Sequence, residues 1–159
     1  MDHSILLCKL KQYGIRGVAL DWFSDYLSNR TQFTHVNNAS STVLNVSIGV
    51  PQGSILGPLL FLIYINDFPD SSDLLSFYQF ADDTSIFYSS NTLDNTVNVL
   101  NSELIKVSDW LRANKLSLNI AKTKCIYFEK KGNKRINISI NNNNNNNTKK
   151  HGDKYHGEP

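Results

Sequence analysis

Residues 76 to 88 read Ser-Phe-Tyr-Gln-Phe-Ala-Asp-Asp-Thr-Ser-Ile-Phe-Tyr, a run rich in strand-forming side chains broken by two adjacent carboxylates, Asp82 and Asp83. The flanks are expected to be two short strands, with the acid pair where they turn back on each other. Two charges beside an apolar hairpin are costly unless something cationic answers them. A divalent metal is one answer, because hard oxygen ligands suit Mg2+, which keeps several waters and takes one or two protein carboxylates plus phosphate oxygens. An ordinary solvent-facing Asp-Asp turn satisfies the same four residues, Phe80-Ala81-Asp82-Asp83. This stretch alone leaves both readings open.

The rest of the chain supplies the elements around it. Ser4 to Tyr13 is predicted to be a short helix with Ile5, Leu6 and Leu10 on one face and Gly14 as its stop. Gly17 to Asn29 is a second, in which Val18, Trp22 and Tyr26 recur at i, i+4. Thr31 to Val36 and Thr42 to Ile48 are β-rich runs around Asn37-Asn38-Ala39-Ser40-Ser41, which predicts a hairpin with a longer loop. Gly49-Val50-Pro51-Gln52-Gly53-Ser54 then leads into an apolar segment, Ile55 to Phe68, with Ser54 placed as a cap and Pro58 near the first turn. Being apolar nearly all round, that segment is expected to be a buried helix. Leu93, Val97, Leu100, Leu104, Val107 and Leu111 recur at alternating steps of four and three, which predicts a helix over Thr92 to Asn114. The stripe suits a coiled-coil seam or a helix packed on a sheet; with so few heptads, packing on a sheet is expected. Thr123 to Phe128 reads as a strand, and Arg135 to Ile140 as a further candidate.

Charge separates the two ends. Residues 1–121 hold seven Lys/Arg against eleven Asp/Glu, whereas residues 122–159 hold nine against three. Backbone binding to nucleic acid rests on clustered Lys/Arg, so the body of the chain is expected to bind it poorly. The run Asn141 to Asn147 and the polar, basic stretch after it offer nothing to bury, and residues 141–159 are expected to be disordered. Cys8 and Cys125 lie far apart, and His3 alone is near one of them, so free thiols are expected rather than a disulfide or a metal site. No signal peptide begins the sequence, and the longest apolar run, Ile55 to Ile65, is eleven residues, against the about 20 that a membrane span needs. An intracellular location, nucleus or cytoplasm, is expected.

Two stretches together, Gly49-Val50-Pro51-Gln52-Gly53-Ser54-Ile55-Leu56-Gly57-Pro58-Leu59-Leu60-Phe61 and Phe80-Ala81-Asp82-Asp83, strongly resemble reverse transcriptases, notably those of non-LTR retrotransposons of the jockey and LINE groups. The likeness extends upstream through Asp2-His3-Ser4-Ile5-Leu6-Leu7, Tyr13 to Gly17, Trp22-Phe23 and Tyr26-Leu27. Downstream it includes Trp110-Leu111, Asn114 to Asn119 and Lys122-Thr123-Lys124. Several matches in the right order make it specific, over about residues 2 to 128.

The resemblance implies an α+β fold, a partial polymerase palm. It would have a mostly antiparallel sheet, with helices packed on one face, the duplex and metals on the other, and truncation at both ends. Residues 1–140 would be the partial reverse transcriptase domain. The resemblance also implies two-metal nucleotidyl transfer by an RNA-directed DNA polymerase using Mg2+ or Mn2+, with an RNA template, a DNA primer and a dNTP as partners. Asp82 matches a metal ligand and Asp83 its partner. Phe80 and Ala81 occupy the aromatic and small positions before them. Gln52 and Gly53 match residues that line the incoming nucleotide and template base pair, where glycine lets backbone come close. Lys122 matches a lysine that donates a proton to the leaving pyrophosphate or contacts phosphate; a solvated surface lysine is the plain alternative.

The likeness is also incomplete. Asp2 to Leu7 match the tail of the family's first acidic motif, so its aspartate would lie before Met1, and Asp2 matches the tail and not the ligand. The fingers, the primer-gripping hairpin and the thumb are likewise not matched. The isolated chain is therefore expected to be inactive, with at most weak nucleic-acid binding. The competing readings are a non-enzymatic retroelement remnant and a small binding module using the Thr92–Asn114 helix and the basic tail.

Overall fold

In the computed structural model, residues 1–51 and 53–128 are described in full. Beyond them, only the backbone of three strands is described: Asn137–Asn141, Asn147–His151 and Asp153–Lys154. The residues divide into two units, Met1–Asn66 and Asp67–Pro159.

In the first unit, Asp2 starts helix α1 (His3–Gln12): its carboxylate accepts from the N–H groups of Ser4 and Ile5 at 3.0 and 3.1 Å, satisfying donors the first turn leaves open. Gly14 ends it at φ +90°, with Ile15 N–H on the Leu10 carbonyl and Gly14 N–H on that of Lys11, a Schellman closure. Helix α2 (Val18–Leu27) follows, within the range its periodicity predicts. Trp22 and Tyr26 do stack, ring centres 5.5 Å apart, although that face stays largely in solvent and Leu27 is what the helix buries.

The next strands are shorter than expected: β1 (Thr31–Gln32) pairs with β4 (Leu44–Asn45), and β2 (His35–Val36) with β3 (Ala39–Ser40). Asn37 and Asn38 both take positive φ, 47° and 63°. That makes a two-residue turn of the primed kind where the sequence predicts a five-residue loop; asparagine tolerates this conformation, and the right-handed strand twist favours it.

Helix α3 (Leu56–Ile65) has Ile55 at its N-cap, which offers no side-chain cap; Ser54, the expected cap, lies one residue earlier, and its hydroxyl oxygen accepts from Gly57 N–H at 3.1 Å. Leu60, Tyr64 and Ile65 are buried with Leu6, Leu10 and Leu27. The expectation of a helix buried all round is corrected here. Ile55 is 95% exposed, and Leu59 and Leu62 are about half exposed, because within this unit α1 packs on one side of α3 only. Lys9 is buried because its ammonium donates to the Tyr64 carbonyl at 2.6 Å, where the C-terminal end of α3 favours a cation.

In the second unit, a 3-10 turn (Pro69–Ser71) precedes β5 (Ser76–Phe80) and β6 (Asp83–Phe87), which pair antiparallel over their full length. Helix α4 (Leu93–Ala113) follows, capped by Thr92 and closed by Asn114, matching the predicted Thr92–Asn114 span. Phe77 and Ile86, on one face of the hairpin, pack with Leu100, Val107, Trp110 and Leu111 of α4 around Phe68. This is a helix on a sheet, not a coiled-coil seam. Farther along, Leu93, Val97 and Leu104 meet Ile120, Cys125 and Tyr127.

Among the described residues the architecture is thus mixed α+β, with four helices and small, mostly antiparallel sheets. The expected continuous sheet is not seen among the described residues: each ladder has two strands, and β7 (Ile126–Tyr127) pairs parallel with β10 (Asp153–Lys154) rather than with the acid-bearing hairpin. β8 (Asn137–Asn141), with Ile138 and Ile140 alternating in sequence, pairs with β9 (Asn147–His151) across the asparagine run. The expectation of disorder over 141–159 falls largely on residues 142–146, 152 and 155–159, outside the described residues. No described helix is long and apolar enough to cross a membrane.

Candidate active site

The acid pair stands at the tip of β5–β6. Phe80 and Asp83 are the closing pair of the ladder, so Ala81 and Asp82 form a two-residue turn. Ala81 takes φ +51° while Asp82 stays out of that region, the pattern in which glycine normally fills the first turn position. A left-handed alanine costs about 1–2 kcal/mol. Alternation along both strands sends Phe77, Gln79, Thr84 and Ile86 toward the α4 side, and Tyr78, Phe80, Asp83, Ser85 and Phe87 outward. The outer face is aromatic as well as acidic: Phe80 is 84% exposed, and Tyr78 meets Phe87 edge-on at 5.3 Å. Asp82 and Asp83 are exposed, and their carboxylates make no hydrogen bond or ion pair with any described residue.

Of the other residues expected at a site, Lys122 lies in the turn before β7, exposed, with its backbone N–H on Asn119. No ion pair joins it to Asp82 or Asp83. Gly53 belongs to the first unit. It sits at φ +77°, with nothing within 4 Å of where a Cβ would be, so its backbone is open to approach. Gln52 lies outside the described residues. The loop holding Gly53 is anchored at its start: Gly49 N–H donates to the Met1 carbonyl at 2.7 Å, and His3 Nε2 lies 2.7 Å from the Gly49 carbonyl.

Two residues that sequence reasoning did not single out support the hairpin. Ser72 hydroxyl oxygen accepts from Leu74 and Leu75 N–H, both at 3.2 Å, and its O–H donates to Glu103 Oε2 at 2.6 Å. Glu103 is buried on α4 and also receives the Lys106 ammonium at 2.8 and 3.0 Å. The hydrogen bond from Lys106, then that from Ser72, hold its carboxyl below the ordinary value of 4.5, against the opposing effect of burial. A signal was present in the sequence: Glu103 falls three residues after Leu100 and four before Val107, a charge set into the apolar stripe.

With this geometry in place, comparison with known proteins gives the class. The family model described as Reverse transcriptase (RNA-dependent DNA polymerase) matches residues 1–155, and the chain belongs to that family. Among curated proteins it is similar to a probable RNA-directed DNA polymerase from transposon X-element of Drosophila melanogaster, 33% identical over 109 residues, covering 65% of this chain and 12% of that protein. It is also similar to a probable RNA-directed DNA polymerase from transposon BS of the same fly, 31% identical over 136 residues, covering 76% of this chain and 14% of that one. The RNA-directed DNA polymerase from its mobile element jockey is 27% identical over 124 residues, covering 73% and 13%. The chain thus spans about an eighth of the length of these relatives. No solved structure matches at a significant level.

Proposed function

We propose that this chain is part of the palm of an RNA-directed DNA polymerase from a retrotransposon-type element, and that Asp82, with Asp83 beside it, holds Mg2+ or Mn2+ there. The observation that supports this most is the hairpin tip: two exposed carboxylates, unpartnered among the described residues, on a turn that keeps a left-handed alanine. The donor set fits the ion. It is all oxygen and anionic, and it leaves room for waters and phosphate oxygens, which Mg2+ retains or takes from its substrate. Bound there, a divalent cation supplies Lewis acidity toward a primer 3′-hydroxyl and a nucleoside triphosphate.

The chain's own residues then bind and orient. Asp82 and Asp83 fix carboxylate oxygens at the tip of a hairpin braced by α4. Phe80 offers an exposed ring on the same face as Asp83. Ala81 sets the turn between them. On the first unit, Gly53 leaves its backbone open to close approach by a nucleotide, the role the resemblance also implies for Gln52, its neighbour in sequence. Lys122 contacts phosphate or gives a proton to the departing pyrophosphate. The template would be RNA and the primer DNA.

The 159-residue chain alone is proposed not to extend a primer. A two-metal site needs more anions than one Asp pair, and among the described residues no group of three His, Cys, Asp or Glu is gathered. Purified chain with Mg2+ or Mn2+ on an RNA-templated primer should give no product; extension would overturn this part. The metal site itself is tested by NMR. Mn2+ should broaden the amide signals of Ala81, Asp82 and Asp83 first, and broadening spread evenly over the exposed acids would contradict it.

A further inference from the structure

We infer that Glu103 is a positioning residue for the acid-bearing hairpin, acting through Ser72 on the turn from which β5 rises. This rests on the reading of Asp82 and Asp83 as metal ligands. Three observations carry it. Glu103 is a buried carboxylate, 4% exposed, set between Leu100 and Val107 of the apolar stripe of α4. Its Oε2 does not end in solvent but accepts a hydrogen bond from the Ser72 hydroxyl at 2.6 Å. With its proton committed there, Ser72 oxygen is oriented to accept from Leu74 and Leu75 N–H at once, and Leu75 is itself buried immediately before β5.

Lever length gives this link its weight. Six steps run from Leu75 to Ala81 at the tip, so at about 3.3 Å per residue the carboxylates stand about 20 Å from the tied turn. A tilt of about 5° at that base displaces the tip by more than an ångström, enough to spoil a coordination geometry. The apolar contacts of Phe77 and Ile86 with α4 resist separation of the layers. They do not fix rotation as a directed hydrogen bond does. Lys106 bonds both oxygens of the same carboxylate, at 2.8 and 3.0 Å, and completes its charge balance; the Ser72 hydroxyl and the Leu74 and Leu75 N–H groups are tied through Glu103 and Ser72 themselves.

The experiment compares the whole chain with Glu103→Ala, Glu103→Gln, Ser72→Ala and Lys106→Ala, reading amide exchange at Leu74 and Leu75 and the Mn2+ dissociation constant. Glu103→Ala and Ser72→Ala should lose protection at both amides and weaken Mn2+ binding about tenfold, the lower end of what supporting contacts contribute at metal sites. Glu103→Gln keeps an acceptor for Ser72 and should restore both readings. Lys106→Ala should change the melting temperature and leave both readings where they were. A merely structural Glu103 would shift the melting temperature alone, and that result overturns the inference. Unchanged exchange at Leu74 and Leu75 in Glu103→Ala also overturns it. If wild type and Asp82→Asn/Asp83→Asn bind Mn2+ equally, the metal reading has failed, and the positioning role falls with it even where the exchange result stands.

Discussion

At the scale of single residues, the most informative are those whose chemistry or conformation is out of place. Ala81 adopts φ +51° in a position glycine normally fills. Ala81→Val should destabilise the chain by about 1–2 kcal/mol, since a β-branched side chain tolerates that region least; urea unfolding would read it. Gln79 presents the opposite problem: its Nε2 is buried on the inner face with no hydrogen-bond partner among the described residues. Gln79→Met should therefore be neutral or stabilising, by up to about 1 kcal/mol. A clear loss of stability would mean that the amide is used. Glu103 gives the pH dependence. Its folded-state pKa lies below its unfolded value, so its contribution is complete above the ordinary 4.5 and is lost as pH falls through the lower folded value. Melting temperatures of wild type and Glu103→Gln should differ at neutral pH and converge in that acidic window.

At the scale of elements, periodicity made the helices legible and could not reach their surroundings. The stripe from Leu93 to Leu111 predicts α4 almost to the residue because Thr92 and Asn114 are good caps and the apolar face has a hairpin to cover. A turn at the acid pair was readable for the same kind of local reason, two charges interrupting strand formers, but it falls one residue early: Ala81 and Asp82 make the turn, and Asp83 already pairs in β6. The Asn37-Asn38 turn was misjudged because asparagine at positive φ allows a two-residue loop where composition suggested a longer one. Helix α3 shows the other limit. Its sequence is apolar on every face, but burial depends on which neighbours are present, and the pattern cannot show that Ile55 and Leu59 face outward. Leu60→Ala, at a fully buried position against α1, should cost about 2–5 kcal/mol. Ile55→Ala, at an exposed one, should stay within about 0.5 kcal/mol. Equal losses at the two positions would mean that the outer face of α3 is covered in solution. Ser72 and Glu103 were not recovered as a pair because a contact between residues 31 apart leaves no trace in local spacing.

At the scale of the whole molecule, family membership rests on a match over residues 1–155, while the proposed metal role depends on how two of those residues are presented. The two acids are presented well: exposed, adjacent, unpartnered among the described residues, and carried on a hairpin that α4 supports from behind. The charge distribution sets a separate expectation. Residues 1–128 hold nine Lys/Arg against eleven Asp/Glu, and residues 129–159 hold seven against three. Single-stranded RNA should therefore bind the whole chain weakly, with an affinity that falls as salt rises and disappears when 129–159 are removed. Retained, salt-insensitive binding by residues 1–128 would point to a stacking surface instead. The proposed function stands or falls with metal binding at the acid pair. Its most direct measurement is a thermal-shift titration with Mn2+ or Mg2+ of the wild-type chain beside Asp82→Asn/Asp83→Asn. The wild type should show saturable stabilisation that the double variant lacks, and equal shifts in the two proteins would contradict a metal site at the acid pair.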